Sequence, residues 1–116
     1  MPFEISLGFT KTPARVGRFQ RYAEALLRGC ELTRPAYGTM YDESFPAWLP
    51  FFKPSACAVG AMHLGLGMAD PSAELADEDE RRMRRAYSRV YGNGIMFDND
   101  SGAFTREQIA ARIAAL

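Results

Sequence analysis

Residues 95–113 read I-M-F-D-N-D-S-G-A-F-T-R-E-Q-I-A-A-R-I: an apolar run, a polar turn and the opening of a helix. The fold depends on how the first three are taken. Ile95, Met96 and Phe97 read as a short extended run, and Asp98-Asn99-Asp100-Ser101-Gly102 has the composition of a turn. Thr105 with Gln108 three positions later matches a capping box, in which each side chain accepts from the other residue's backbone N–H. Ile109, Ile113 and Leu116 then supply the buried face of a last helix.

An extended run at 95–97 needs a partner strand, and the other end of the chain offers one. Phe3, Ile5, Leu7 and Phe9 alternate with Glu4, Ser6 and Gly8, a period of two that suits a half-buried strand over 3–9. Thr12 and Pro13 read as N-cap and first helical position. They open a first helix with Val16, Phe19, Ala23, Leu26, Leu27 and Cys30 on one stripe, ending near Leu32. Ser55 caps a second helix over Ala56–Met68, whose Ala56, Gly60, Ala61, Gly65 and Gly67 are small enough for another backbone to approach closely. After a turn at Asp70-Pro71-Ser72, a third helix runs to Tyr91. It turns Met83, Ala86, Tyr87 and Val90 inward, with Gly92 as its left-handed stop. The expected fold is therefore mainly α, a single domain of about four helices with short strands at 3–9 and 95–97 able to pair.

Between the first two helices, residues 33–54 sustain no period, and Pro35, Pro46, Pro50 and Pro54 forbid a long helix. This loop is unusually aromatic, with Tyr37, Tyr41, Phe45, Trp48, Phe51 and Phe52. Loops of that length in a small domain either carry function or pack down as a lid.

With 116 residues the chain can bury one core. A content of 47% hydrophobic and 24% charged residues is that of an ordinary globular domain. Zero formal net charge removes any global attraction to nucleic acid or anionic membrane. No apolar stretch approaches the roughly 20 residues that span a bilayer. Met1-Pro2-Phe3-Glu4 lacks the basic start of a signal peptide, so a cytoplasmic location is expected. Cys30 and Cys57 fit it as two reduced thiols.

The pair Asp98 and Asp100 invites comparison with catalytic carboxylates. Phe97-Asp98-Asn99-Asp100 is similar to the opening motif of haloacid dehalogenase-like phosphotransferases, but only sixteen residues follow Asp100 and none is Lys. An EF-hand loop starting at Asp98 puts Gly102, Ala103 and Ile109 where a ligand, a glycine and a glutamate are required. Turn and cap chemistry is the favoured reading. His63 is the only histidine, and on one helix it lies about 240° around the axis from Cys57, too divergent for a dyad. Arg81, Arg82, Arg84, Arg85 and Arg89 follow Glu74, Asp77, Glu78, Asp79 and Glu80. Pairs such as Asp77 with Arg81, Glu78 with Arg82 and Glu80 with Arg84 make a solvated, self-paired face the favoured reading over nucleic-acid binding.

Ala56-Cys57-Ala58-Val59-Gly60-Ala61, Ile95 through Asn99-Asp100, and Arg106-Glu107-Gln108-Ile109-Ala110 together form a pattern. It resembles a set of small uncharacterised bacterial and phage proteins with a C-A-x-G-A helix, an N-D turn and an R-E-x-I-A helix. The resemblance implies an accessory role and a shared scaffold for Cys57 and Asn99-Asp100, and it supplies no catalytic residue.

The sequence thus points to an accessory or regulatory protein that binds a protein partner or a second copy of itself. The expected contact residues are Tyr41, Phe45, Trp48, Phe51, Phe52 and His63, with no cofactor, metal or membrane involved. The alternative is a small-molecule or metal-binding protein, including a small hydrolase, in which His63 meets Asp98 or Asp100. Nucleic-acid binding through Arg81 to Arg89 stands third.

Overall fold

A computed structural model describes residues 17–43, 53–73 and 77–116. Along the described chain run α1 (Gln20–Leu32), β1 (Arg34–Pro35), β2 (Tyr41–Asp42), β3 (Ser55–Ala56), α2 (Ala58–Gly65), α3 (Glu78–Tyr91), α4 (Ile95–Asp100) and α5 (Arg106–Ala114). The architecture is mainly helical with a small sheet. In it β3 lies between β1, which it meets in parallel, and β2, which it meets antiparallel.

Small residues decide the central packing. A Cβ on Gly29 would overlap the Ala61 carbonyl oxygen, and one on Gly65 would overlap the Ala25 carbonyl oxygen. Ala25-x3-Gly29 on α1 thus crosses Ala61-x3-Gly65 on α2 backbone to backbone, in antiparallel sense. Gly60 makes a third such approach, to the Met40 carbonyl at the edge of the sheet. The close approach expected of the second helix is therefore present, with Gly29 as the partner residue. Around the crossing, Tyr22, Leu26, Val59, Met62, Met83, Tyr87, Ile109 and Ile113 form a continuous buried core.

The largest correction falls on residues 95–97, which are not a strand. They open α4, behind Gly94 in extended conformation, with the Asp98 N–H donating to the Gly94 carbonyl. Inward positions are Ile95, Asp98 and Asn99, while Phe97 is 60% exposed. That is a helical period carried by polar residues, which a search for apolar periodicity passes over. The expected turn at 98–102 accordingly begins later, at Ser101.

Other boundaries shift for identifiable reasons. Ser55 does not cap α2, because it lies in β3, and Cys57 takes the N-cap position. Helix α2 ends at Gly65, short of Met68, with Gly67 at φ 84°. Leu27 and Val90 point outward, at 44% and 63% exposure. In contrast, Gly92 stops α3 in the left-handed region at φ 88°, and both halves of the Thr105–Gln108 capping box form. The expected strand at 3–9, the Thr12-Pro13 helix start and Val16 lie outside the described residues. So do Phe45, Trp48, Phe51 and Phe52 of the aromatic loop. Within the described part of that loop, β1 and β2 each span two residues, too short to show a period.

Candidate functional site

The two carboxylates at the end of α4 do not converge, although Asn99 between them donates to Asp100 at 2.9 Å. Asp98 is buried and accepts the Tyr87 hydroxyl at 2.7 Å, with the Arg112 guanidinium 3.6 Å away. Asn99, also buried, accepts the Ala58 N–H at 3.0 Å through Oδ1 and donates to the Ala36 carbonyl at 2.9 Å through Nδ2. Asp100 accepts the Gly38 N–H at 2.8 Å. Helix α2, which has no cap of its own, thereby receives one from another helix. Arg112, beneath these residues, lies 3.9 Å from the Tyr91 ring centre and 4.0 Å from that of Phe104.

His63 is joined to neither Asp98 nor Asp100. It is fully buried, with Nδ1 3.0 Å from the Pro71 carbonyl and Nε2 3.0 and 3.1 Å from the two oxygens of Glu80. A carbonyl can only accept, so Nδ1 donates to Pro71, while Nε2 is engaged by the Glu80 carboxyl. Arg84 Nη1 reaches the same carboxyl at 3.3 Å. Both ring nitrogens are thus committed to holding the 70–73 turn and α3 against α2. A general base needs a nitrogen free to reach its substrate.

Cys57 stands at the start of α2, where backbone N–H groups favour a thiolate, but burial is the larger influence. Burial pushes the Cys57 thiol up, against opposing hydrogen bonds from the Gly60 and Val59 backbone. Cys30, half-buried on α1, is pushed up to about 11, chiefly by burial. Neither thiol has the depressed pKa of a nucleophile.

On α3 Arg81, Arg82 and Arg85 are paired with acids of their own helix, at 3.2 Å for Arg81–Glu78 and Arg82–Asp79 and 3.1 Å for Arg85–Glu78. Those arginines hold the Glu78 carboxyl below the usual range, with the Arg85 and Arg81 hydrogen bonds as main cause. Asp77 does not pair with Arg81 here. It caps the helix by accepting the Asp79 N–H at 2.9 Å, and its other oxygen faces Arg21 at 3.5 Å.

An open hollow of about 410 Å³ lies at the far end of α2, lined by Tyr41, Glu43, Leu64, Met68, Ala69, Asp70 and Pro71. Tyr41 is an expected contact residue. Its hydroxyl donates to Glu43 at 2.7 Å, and burial with that bond pushes its pKa up to about 12. His63 lies beneath the hollow through its bond to Pro71. Leu64, Met68 and Pro71 were not singled out from the sequence, although the apolar end of the second helix was the signal that pointed there. Glu43, which lines this hollow, is the last described residue before Lys53.

Among the described residues, no group of three or more His, Cys, Asp or Glu is placed to hold a metal ion. No helix among them is long and apolar enough to cross a membrane. No family model, curated protein or solved structure matches the chain.

Proposed function

We propose that this chain is an accessory or regulatory domain that works by binding a protein partner or a second copy of itself, and not by catalysis. The observation that carries this reading is the hollow between Tyr41, Leu64, Met68 and Pro71. Its apolar floor and the two carboxylates of Glu43 and Asp70 suit a partner side chain with an apolar stem and a basic tip. Trp48 and Phe51, five and eight positions after Glu43 in the sequence, are the aromatic residues expected to add to the contact. The engaged nitrogens of His63 and the separate partners of Asp98 and Asp100 support binding over acid–base chemistry. The bacterial and phage proteins that the 56–61, 95–100 and 106–110 segments resemble suggest the setting. Two free cysteines, one buried, suit a reducing cytoplasm.

The test compares wild type with Tyr41→Ala, Met68→Glu and the Trp48→Ala/Phe51→Ala double variant. Quantitative affinity purification and sedimentation velocity are the readouts, with circular dichroism confirming the fold. Loss of a specific partner or of self-association in folded variants is expected. If folded variants keep every partner and the wild-type sedimentation profile, the reading is wrong.

A further inference from the structure

The arginines of α3 are mostly neutralised within their own helix, but at one place α1 and the turn before it add two more. Arg18, Arg21 and Arg82 line a hollow of about 270 Å³ with Phe19, Tyr22 and Asp79. Three guanidiniums there face one lining carboxylate. The hollow is independent of the one beside Tyr41, with which it shares no residue.

Each arginine is positioned by something other than a ligand. Arg21 donates to the Tyr22 hydroxyl at 2.6 Å and lies 4.4 Å from that ring's centre. It is also 3.5 Å from Asp77 and 3.9 Å from Asp79. Arg82 is bonded to Asp79 at 3.2 Å, with Glu78 4.0 Å away. The Arg18 guanidinium lies over the Phe19 ring at 4.9 Å and makes no hydrogen bond or ion pair among the described residues. A ring face steadies a guanidinium while leaving its in-plane N–H groups free to donate. Arg18 is therefore an open fork aimed beside two others that are held in place.

We propose that this hollow binds a phosphate-class dianion, either inorganic phosphate or the phosphoryl group of a small molecule. Arg18 favours it, since Arg21 and Arg82 share Asp77, Glu78 and Asp79 while the Arg18 guanidinium beside them has no carboxylate of its own among the described residues. Shape favours it as well. Donors arriving from two helices and a turn, on three side chains, match a tetrahedral group with several oxygens, whereas a planar carboxylate is satisfied by one fork. The volume leaves room for an organic substituent on the phosphoryl group.

The test titrates the full chain with inorganic phosphate, phenyl phosphate and acetate at constant ionic strength, read by ¹⁵N–¹H spectra that include the arginine Nε–H signals. Saturable shifts with inorganic phosphate, phenyl phosphate or both are expected, and which of the two binds more tightly distinguishes a free anion from a phosphoryl ligand. Arg18→Gln, which breaks no ion pair, should weaken binding about tenfold, the loss expected of one charge-assisted contact. Arg82→Gln should do the same, while Arg89→Gln, outside the hollow, should change nothing. Three results would each overturn the proposal: no saturable shift with either phosphate probe, acetate binding as tightly as phosphate, or wild-type affinity in a folded Arg18→Gln variant.

Discussion

Asn99 shows how a single side chain can stand in for a local signal. Its amide caps α2 from outside and ties down the Ala36 carbonyl, so both of its functional ends are in use. Asn99→Ala leaves a buried N–H and a carbonyl without partners and should cost about 2–4 kcal/mol in urea unfolding. Asn99→Asp keeps an acceptor for Ala58 but turns a carboxylate oxygen toward the Ala36 carbonyl and the Asp100 carboxylate. Its deficit should therefore shrink as pH falls through the ordinary carboxylate range, because a protonated Asp regains a donor, and paired unfolding curves at neutral and acid pH check this. The polar character of Asp98-Asn99-Asp100 was legible in the sequence, as was a structural use for it. The partners were not, because Tyr87, Ala58, Ala36 and Gly38 are brought there by the packing of other elements.

At the scale of elements, legibility tracked how much of a signal was local. The Thr105–Gln108 box and the Gly92 stop are complete within a few residues, and both stand as expected. The first and third helices ended where their sequences indicated, at Leu32 and Tyr91. Helix α4 was misread because its six residues hide Asp98 and Asn99 and expose Phe97, reversing the usual sorting by polarity. The α1–α2 crossing was half legible: the small residues of α2 stood out, but nothing in the sequence said that Ala25 and Gly29 would face them. A methyl group at Gly29 or Gly65 would meet backbone, which cannot rotate away. Gly29→Ala and Gly65→Ala should each destabilise by about 2–3 kcal/mol or more despite the better helix propensity of Ala, as read by chemical denaturation. Gly102→Ala is a contrasting case, since nothing lies within 4 Å of its added Cβ and only its φ of 74° opposes the change. That loss should be near 1 kcal/mol.

For the molecule as a whole, the raised pKa values predict where stability fails. Cys30 is pushed from 9.0 to about 11 in the folded chain and Tyr41 from 10.0 to about 12, while burial also raises Cys57, Tyr22 and Tyr87. A neutral acid with a raised folded pKa favours folding below its unfolded value and loses that contribution as pH rises through the folded one. The cysteine contribution is therefore intact below about pH 9 and lost toward pH 11, with tyrosine following toward pH 12. Denaturation midpoints should fall across that window, and Cys30→Ala should flatten the early part of the fall. At neutral pH both thiols should alkylate slowly in the folded state and rapidly in denaturant. Composition had indicated reduced cysteines, but which phenols share the behaviour depends first on their burial in the fold and, at Tyr87, next on the hydrogen bond to Asp98.

The cap that α4 provides to α2 also has a consequence in time. Asn99 follows Ala58 by 41 positions, so during synthesis the first turn of α2 leaves the ribosome well before the side chain that completes it. A nascent chain that had emerged from the ribosome only as far as Gly94 would have both partners of the α1–α2 crossing outside, with the start of α2 still lacking its cap. Amide exchange at Ala58 in stalled chains should stay rapid until α4 has emerged and then slow abruptly. The order of translation thus separates the two contacts that hold α2: the glycine crossing is available early, and the borrowed cap arrives late.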